Sequence, residues 1–229
     1  LKLVGISPEI PGGFAEQMIL TGDVLRNGIV HRIPEGMSDL HATLSEPASS
    51  VLASHQKAGT TLGDTVAVLG GGPIGCLHIA VAKERGAKVI LSGTNEVRRK
   101  MAVNFNPDVI IDPTTEDVVK RVKELTNGLG ADIVICANSV AETQTQAVEM
   151  VRKGGRVVLF GGLPKANPMT SLDGNIIHYG EISVVGAFSY HPTVHAQALQ
   201  FFADRPELAE KLITHTFDLN QVNDAFSIA

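Results

Sequence analysis

The chain has 229 residues, 44% of them hydrophobic, with a formal net charge of −5 and a sequence pI near 5.9. That is enough apolar material for a sizeable core, and too little positive charge to offer a nucleic-acid backbone a basic face. Two cysteines, Cys76 in a predicted helix and Cys136 in a predicted strand, exclude a disulfide framework and a thiolate metal cluster and fit a reducing, cytoplasmic setting.

Near its start the chain alternates apolar and polar residues over Phe14–Leu20 and Gly28–Ile33, punctuated by Gly12-Gly13 and Pro34. These segments predict the last strands of a β domain, and because the chain opens on Leu1 rather than Met it reads as lacking an amino-terminal part. Ser38–Lys57 predicts a helix interrupted at Glu46-Pro47, and Gly59–Asp64 turns the chain into a strand from Thr65. After Pro73, the apolar positions Ile74, Leu77, Val81 and Ala82 recur at helical spacing until Lys83, Glu84 and Arg85 close the helix before Gly86. Thr65–Ala82 carries no charge, but Gly70-Gly71-Gly72-Pro73 would break a spanning helix, and neither a membrane segment nor a secretory leader is visible. Strands follow at Lys88–Leu91, Val109–Ile111, Ile133–Cys136, Arg156–Phe160 and Ile182–Phe188. Helices are predicted at Thr114–Thr126, Val140–Lys153 and Thr193–Asp204. The helix from Thr114 has Asp117 three residues on, a capping-box pattern, ahead of the apolar stripe Val118, Val119, Val122 and Leu125. Strands alternating with helices predict an α/β fold whose doubly wound parallel sheet is covered on both faces.

The β-branched run Thr65-Val66-Ala67-Val68-Leu69 feeds directly into Gly70, Gly72 and Gly75. Gly70 permits a sharp turn, Gly72 lets backbone approach a pyrophosphate, and Gly75 lets the next helix press on the strand. Pro73 fixes a helical φ where its missing N–H costs nothing, so the free N–H groups from Ile74 onward face an anion. The βαβ context supports a dinucleotide. A turn that binds nothing, or one that holds a methyl-donor nucleoside, is the alternative.

The ordered set Gly12-Gly13-Phe14-Ala15-Glu16, Glu46-Pro47, Gly63-Asp64-Thr65-Val66, Gly70–Gly75 and Gly154-Gly155-Arg156 resembles the medium-chain dehydrogenase/reductase superfamily. Glu46-Pro47 with Gly186-Ala187-Phe188-Ser189-Tyr190 is similar to its zinc-dependent alcohol and polyol (sorbitol) dehydrogenase branch. The resemblance spans essentially the whole chain. It implies a Rossmann domain over residues 53–212, the incomplete end of a GroES-like catalytic domain over 1–52, and the start of the return to that domain over 213–229. It also implies hydride transfer between a secondary alcohol and NAD or NADP, with zinc binding the alcohol oxygen.

In that family the catalytic zinc is held by a cysteine and a Gly-His-Glu segment, and a second zinc by four cysteines; nothing here matches either set. Glu46 is the one implied metal and catalytic residue, with the remaining zinc ligands outside this chain. A helix-dipole carboxylate is its plain alternative. The chain alone is expected to hold dinucleotide without turnover.

Family members preferring NAD place an acid where Gly93 stands. Its absence, with Thr94 and Asn95 as donors and Arg98 or Arg99 as countercharge, favours NADP or dual use, against Glu96 reaching back to the ribose or the arginines merely solvating a helix face. Similar proteins contact the nicotinamide ribose and carboxamide at the positions of Cys136-Ala137-Asn138, Phe160-Gly161-Gly162 and Phe188-Ser189-Tyr190. Gly161-Gly162 also suits a plain turn, and Cys136 a small core residue. Ser189 replaces the arginine that helps bind polyol hydroxyls in sorbitol dehydrogenases, which leaves the substrate open; Tyr190 is a candidate hydroxyl contact. His78 is expected to be a satisfied packing residue and His41 a surface residue, while His191 and His195 stand four apart around Pro192, a spacing that can hold a metal. The apolar strand Ile182–Phe188 is either a buried central strand or a sheet edge that pairs across a homodimer, often within a homotetramer. A zinc-free quinone or enoyl reductase, a non-catalytic dinucleotide-binding module and a methyltransferase are the rival functions.

Overall fold

The computed structural model describes Ser7, Ile10 and residues 12–27 and 30–228. One sheet of six parallel strands organises them: β1 (Thr65–Leu69), β2 (Lys88–Ser92), β3 (Val109–Ile111), β4 (Ala131–Cys136), β5 (Val151–Leu159) and β6 (Ser183–Gly186), in the order β3-β2-β1-β4-β5-β6. This is the doubly wound Rossmann-type arrangement, and the order reverses between β1 and β4, where sheets of this kind open a crevice at their carboxyl ends. The helices in chain order are α1 (Gly22–Asn27), α2 (Asp39–Ala42), α3 (Ser45–Ala58), α4 (Pro73–Glu84), α5 (Glu96–Ala102), α6 (Val118–Leu125), α7 (Ala141–Met150), α8 (Gly174–Gly180), α9 (Pro192–Asp204), α10 (Pro206–Leu212) and α11 (Val222–Ile228). Among the described residues no helix is long and apolar enough to cross a membrane.

Both faces of the sheet are buried. Side chains alternate across a strand, so Val66, Val68, Leu91, Ile133, Ile135 and Val158 face α3, α4 and α9 through Val51, Leu77, Ile79 and Phe202. Ala67, Leu69, Ile90, Val134 and Val157 face α6 and α7 through Val122, Ala147 and Met150 on the other side. Two buried faces explain why these strands read as unbroken apolar runs. Cys76 and Cys136 are both buried and free, and burial pushes their thiols up to about 11 and about 12, which leaves them inert.

Several boundaries differ from the sequence expectation. Phe14–Leu20 forms no strand, and no described residue of Gly28–Ile33 does; Gly28 and Ile29 lie outside the described residues. Without a neighbouring strand these segments stay irregular, and Phe14 and Ile19 are exposed. The break in the helix from Ser38 falls at Thr43–Leu44, just ahead of Glu46-Pro47, because proline is tolerated in a first turn. Helix α6 starts later than Thr114: Asp117 is itself the N-cap, accepting from the Lys120 N–H, while Thr114 is held by Asp112. Helix α7 ends at Met150 rather than Lys153, since a bulge between β4 and β5, with Gly154 at φ 68°, carries the strand back to Val151. Strand β6 is an edge rather than a central strand, and Ser183 and Gly186 are exposed.

Candidate dinucleotide-binding site

The three glycines after β1 have three different local demands. Gly70 has φ 127°, and a Cβ there would stand 2.6 Å from the Ala137 carbonyl oxygen, so both conformation and space require glycine. A Cβ on Gly75 would collide with the Gly70 carbonyl oxygen, which is how closely α4 presses on the strand end. Gly72 is different. Its backbone is ordinary extended chain, and a Cβ would meet nothing nearer than the Arg98 guanidinium at 3.9 Å. The fold therefore does not need glycine at 72, and the space in front of it is left open.

That space is part of a cleft of about 530 Å³ at the reversal of strand order. Leu69, Gly70, Gly71 and Gly72 form one wall, Ser92, Gly93, Thr94, Asn95 and Arg98 another, and Ala137, Asn138, Ser139 and Val140 a third. Helix α4 begins in the first wall, with Gly72 as N-cap, no side-chain cap and Pro73 as its first residue. The N–H groups of a first turn have no intrahelical acceptor, so this mouth presents unpaired donors and the positive end of a 12-residue helix. Such a wall can take a bridging diphosphate. The cleft thus brings together Gly70, Gly72, Gly93, Thr94, Asn95, Arg98 and Asn138, whereas Pro73, Ile74 and Gly75 build the helix behind it.

Asn138 contributes shape. Its Nδ2 donates to the Leu69 carbonyl at 3.0 Å and its Oδ1 accepts from the Val140 N–H at 2.9 Å, which ties the ends of β1 and β4 together. Asn95 caps α5, its Oδ1 accepting from the Arg98 N–H at 3.0 Å. Glu96 pairs with Lys100 at 2.7 Å and does not turn back toward Gly93. The two arginines separate: Arg98 lines the cleft, while Arg99 turns away from it and binds the Gly93 and Thr94 carbonyls and Asp112. Gly71, Ser92, Ser139 and Glu142 also line the cleft. Sequence reasoning missed them because only their place at or just beyond a strand end, or in the first turn of α7, marks them.

The other predicted contacts lie elsewhere. Phe160 follows β5 and meets the edge of the His78 ring, with centroids 4.6 Å apart. Gly161 is crowded by the Asn138 backbone, so packing alone requires it, while Gly162 is in open space. Phe188 is 76% exposed and Ser189 is exposed too. His78 is fully buried, but it is only half satisfied: its Nδ1 lies 3.2 Å from His55 Nε2 and its Nε2 has no partner among the described residues. His55 continues the row, with Nδ1 2.9 Å from the Thr60 hydroxyl. Burial, then the charge of Arg85, pushes His55 down to about 3, and burial holds His78 well below the usual histidine range.

Glu46 sits in the first turn of α3, exposed, and accepts from the Tyr190 hydroxyl at 3.2 Å. Burial first, then the charge and hydrogen bond of Glu46, raises Tyr190 above its ordinary pKa, so the phenol is a donor at neutral pH. His195 is stacked between Tyr190 and His31, with ring centroids 6.1 Å and 5.2 Å away. Its Nε2 lies 3.1 Å from the Ser45 hydroxyl, and burial followed by His31 lowers its pKa. The spacing of His191 and His195 does not make a metal pair, because His191 is the N-cap of α9. Among the described residues no three His, Cys, Asp or Glu side chains gather to hold a metal ion.

Residues 73–204 match the family described as zinc-binding dehydrogenase. The sorbitol dehydrogenase of Halalkalibacterium halodurans is 32% identical over 224 residues, which is 97% of this chain and 63% of that protein. The chain therefore spans less than two thirds of that curated relative. The alcohol dehydrogenase TADH of Thermus sp. ATN1 superposes with a TM-score of 0.86 at 24% identity, over 99% of this chain and 65% of that one, a likeness of fold. A zinc-binding dehydrogenase of Sinorhizobium meliloti, solved bound to NADP, is 31% identical with a TM-score of 0.70, covering 81% of this chain and 53% of that one. With the glycine turn, the reversed strand order and the length of the matches in agreement, the chain belongs to the zinc-binding dehydrogenases of the medium-chain dehydrogenase/reductase superfamily.

Proposed function

We propose that this chain is the cofactor-binding part of an NAD(P)-dependent alcohol or polyol dehydrogenase that transfers a hydride between a secondary alcohol and NAD or NADP. One observation carries the reading: Gly72 is a glycine that the packing of the protein does not require, at the mouth of a helix that offers uncapped N–H groups. The sorbitol dehydrogenase relative and the relative solved with NADP support it.

In this reading residues 53–212 are the dinucleotide-binding domain, 1–52 the end of a catalytic domain and 213–229 its return. The N–H groups of Gly71, Gly72 and the first turn of α4 hold the pyrophosphate. Gly93, Thr94, Asn95 and Arg98 bound the adenosine ribose, with Arg98 as the cation for a 2′-phosphate, so NADP is favoured. Asn138, Phe160, Gly161, Gly162, Phe188, Ser189 and Tyr190 border the path of the nicotinamide end. Bound NAD(P) supplies the hydride acceptor or donor; the chain's own residues orient it and keep its charge neutralised. The described residues do not make a zinc site by themselves: Glu46 offers one carboxylate, already engaged by Tyr190. The chain alone is accordingly a dinucleotide binder without turnover.

The partner is a small alcohol or polyol, and a homodimer forms along the exposed β6 edge. Titrating the chain with NADPH and with NADH, followed by nicotinamide fluorescence, tests the reading: saturable binding of either is expected, and binding of neither contradicts it.

A further inference from the structure

Arg98 and Arg99 are adjacent in α5, yet one helical step of about 100° sends their side chains to different places. Arg98 lines the cleft, is exposed and has no carboxylate partner among the described residues. Arg99 is 17% exposed, and its Nη1 donates to the Gly93 carbonyl at 2.7 Å and the Thr94 carbonyl at 2.8 Å. Its Nη2 meets Asp112 Oδ2 at 2.5 Å. Asp112 is fixed in turn by the Thr114 N–H at 3.0 Å and hydroxyl at 2.6 Å, and the Gly93 N–H donates to the Ile111 carbonyl at 3.3 Å. A Cβ at Gly93 would stand 3.3 Å from the Gly71 nitrogen, so the loop lies directly on the glycine turn.

The consequence is electrostatic. Two carbonyl oxygens at the rim of the cleft are turned toward Arg99, outside the cleft lining, and the Arg99 charge is cancelled by Asp112. Free carbonyls in the cleft would accept hydrogen bonds from ribose hydroxyls and repel a phosphate carrying about −1.5 to −2 charges. With these two carbonyls withdrawn, the rim offers a 2′-phosphate an Arg98 that neither of them opposes, and offers a 2′-hydroxyl neither of them as acceptor.

We infer that Arg99, braced by Asp112, is a positioning residue that sets cofactor preference by holding the Gly93 and Thr94 carbonyls away from the 2′ position. This rests on the dinucleotide reading of the cleft. The test titrates the wild-type chain, Arg99→Gln and Arg99→Lys with NADPH, NADH, 2′,5′-ADP and 5′-AMP, with far-UV circular dichroism as the check of fold. Expected is wild-type preference for NADPH and 2′,5′-ADP. Arg99→Gln should lose about tenfold or more toward the phosphorylated pair and less than about threefold toward the other, with Arg99→Lys in between. If Arg99→Gln does not fold, the same selective loss in folded Arg99→Lys carries the test. Equal weakening of both pairs, no change, or wild-type preference for NADH overturns the inference and leaves the cleft reading standing. Failure of the wild type to bind any of the four overturns both.

Discussion

At the scale of single residues, the glycine turn separates what the fold needs from what a ligand needs. Gly75→Ala drives a methyl group into the Gly70 carbonyl, so it should destabilise the chain by about 1–3 kcal/mol in chemical denaturation, as overpacking does; an unchanged midpoint would contradict the packing described. The turn at Gly70 and the close packing at Gly75 were legible in the sequence because each follows from spacing along one strand and one helix. The division of labour between Arg98 and Arg99 was not, since it depends on Asp112, which reaches them only through the neighbouring strand β3. Likewise Tyr190 and Glu46 meet across 144 residues, a distance that no local pattern encodes.

Among the elements, the row Thr60–His55–His78 connects the end of α3 to the middle of α4 and makes a prediction about acid. Both histidines are less basic folded than unfolded. Their contribution is therefore fully present above the ordinary histidine pKa of 6.5 and is lost as pH falls below it, that of His55 on the way down to about 3. Thermal unfolding monitored between pH 7 and pH 4 should show a falling midpoint. His78→Leu strips His55 Nε2 of its partner and should cost about 1–3 kcal/mol at pH 7 while flattening the acid decline; a wild-type midpoint independent of pH would refute this. Strand and helix order was legible from periodicity. The start of β5 was not: the expected helix ran to Lys153 and the expected strand began at Arg156, whereas Gly154-Gly155 lies in a bulge inside a strand that starts at Val151. The expected strands over Phe14–Leu20 failed for a physical reason: alternation shows a residue's preference, but a strand exists only where a partner offers hydrogen bonds.

For the molecule as a whole, the sheet ends in β6, a short edge with no further strand beside it among the described residues. Light scattering after size exclusion should give a mass near twice 24.2 kDa, and a strictly monomeric chain would contradict pairing along that edge. The parallel architecture and the position of the crevice were readable from strand–helix alternation, whereas the edge position of β6 needed the sheet order itself. In the proposed reading, the open space before Gly72 belongs to a dinucleotide. Calorimetric titration of NADPH into the wild-type chain and into Gly72→Ala tests it most directly. Expected are binding by the wild type, a loss of about tenfold or more in the variant, and equal thermal stability of the two. Unchanged affinity in a folded Gly72→Ala would contradict it.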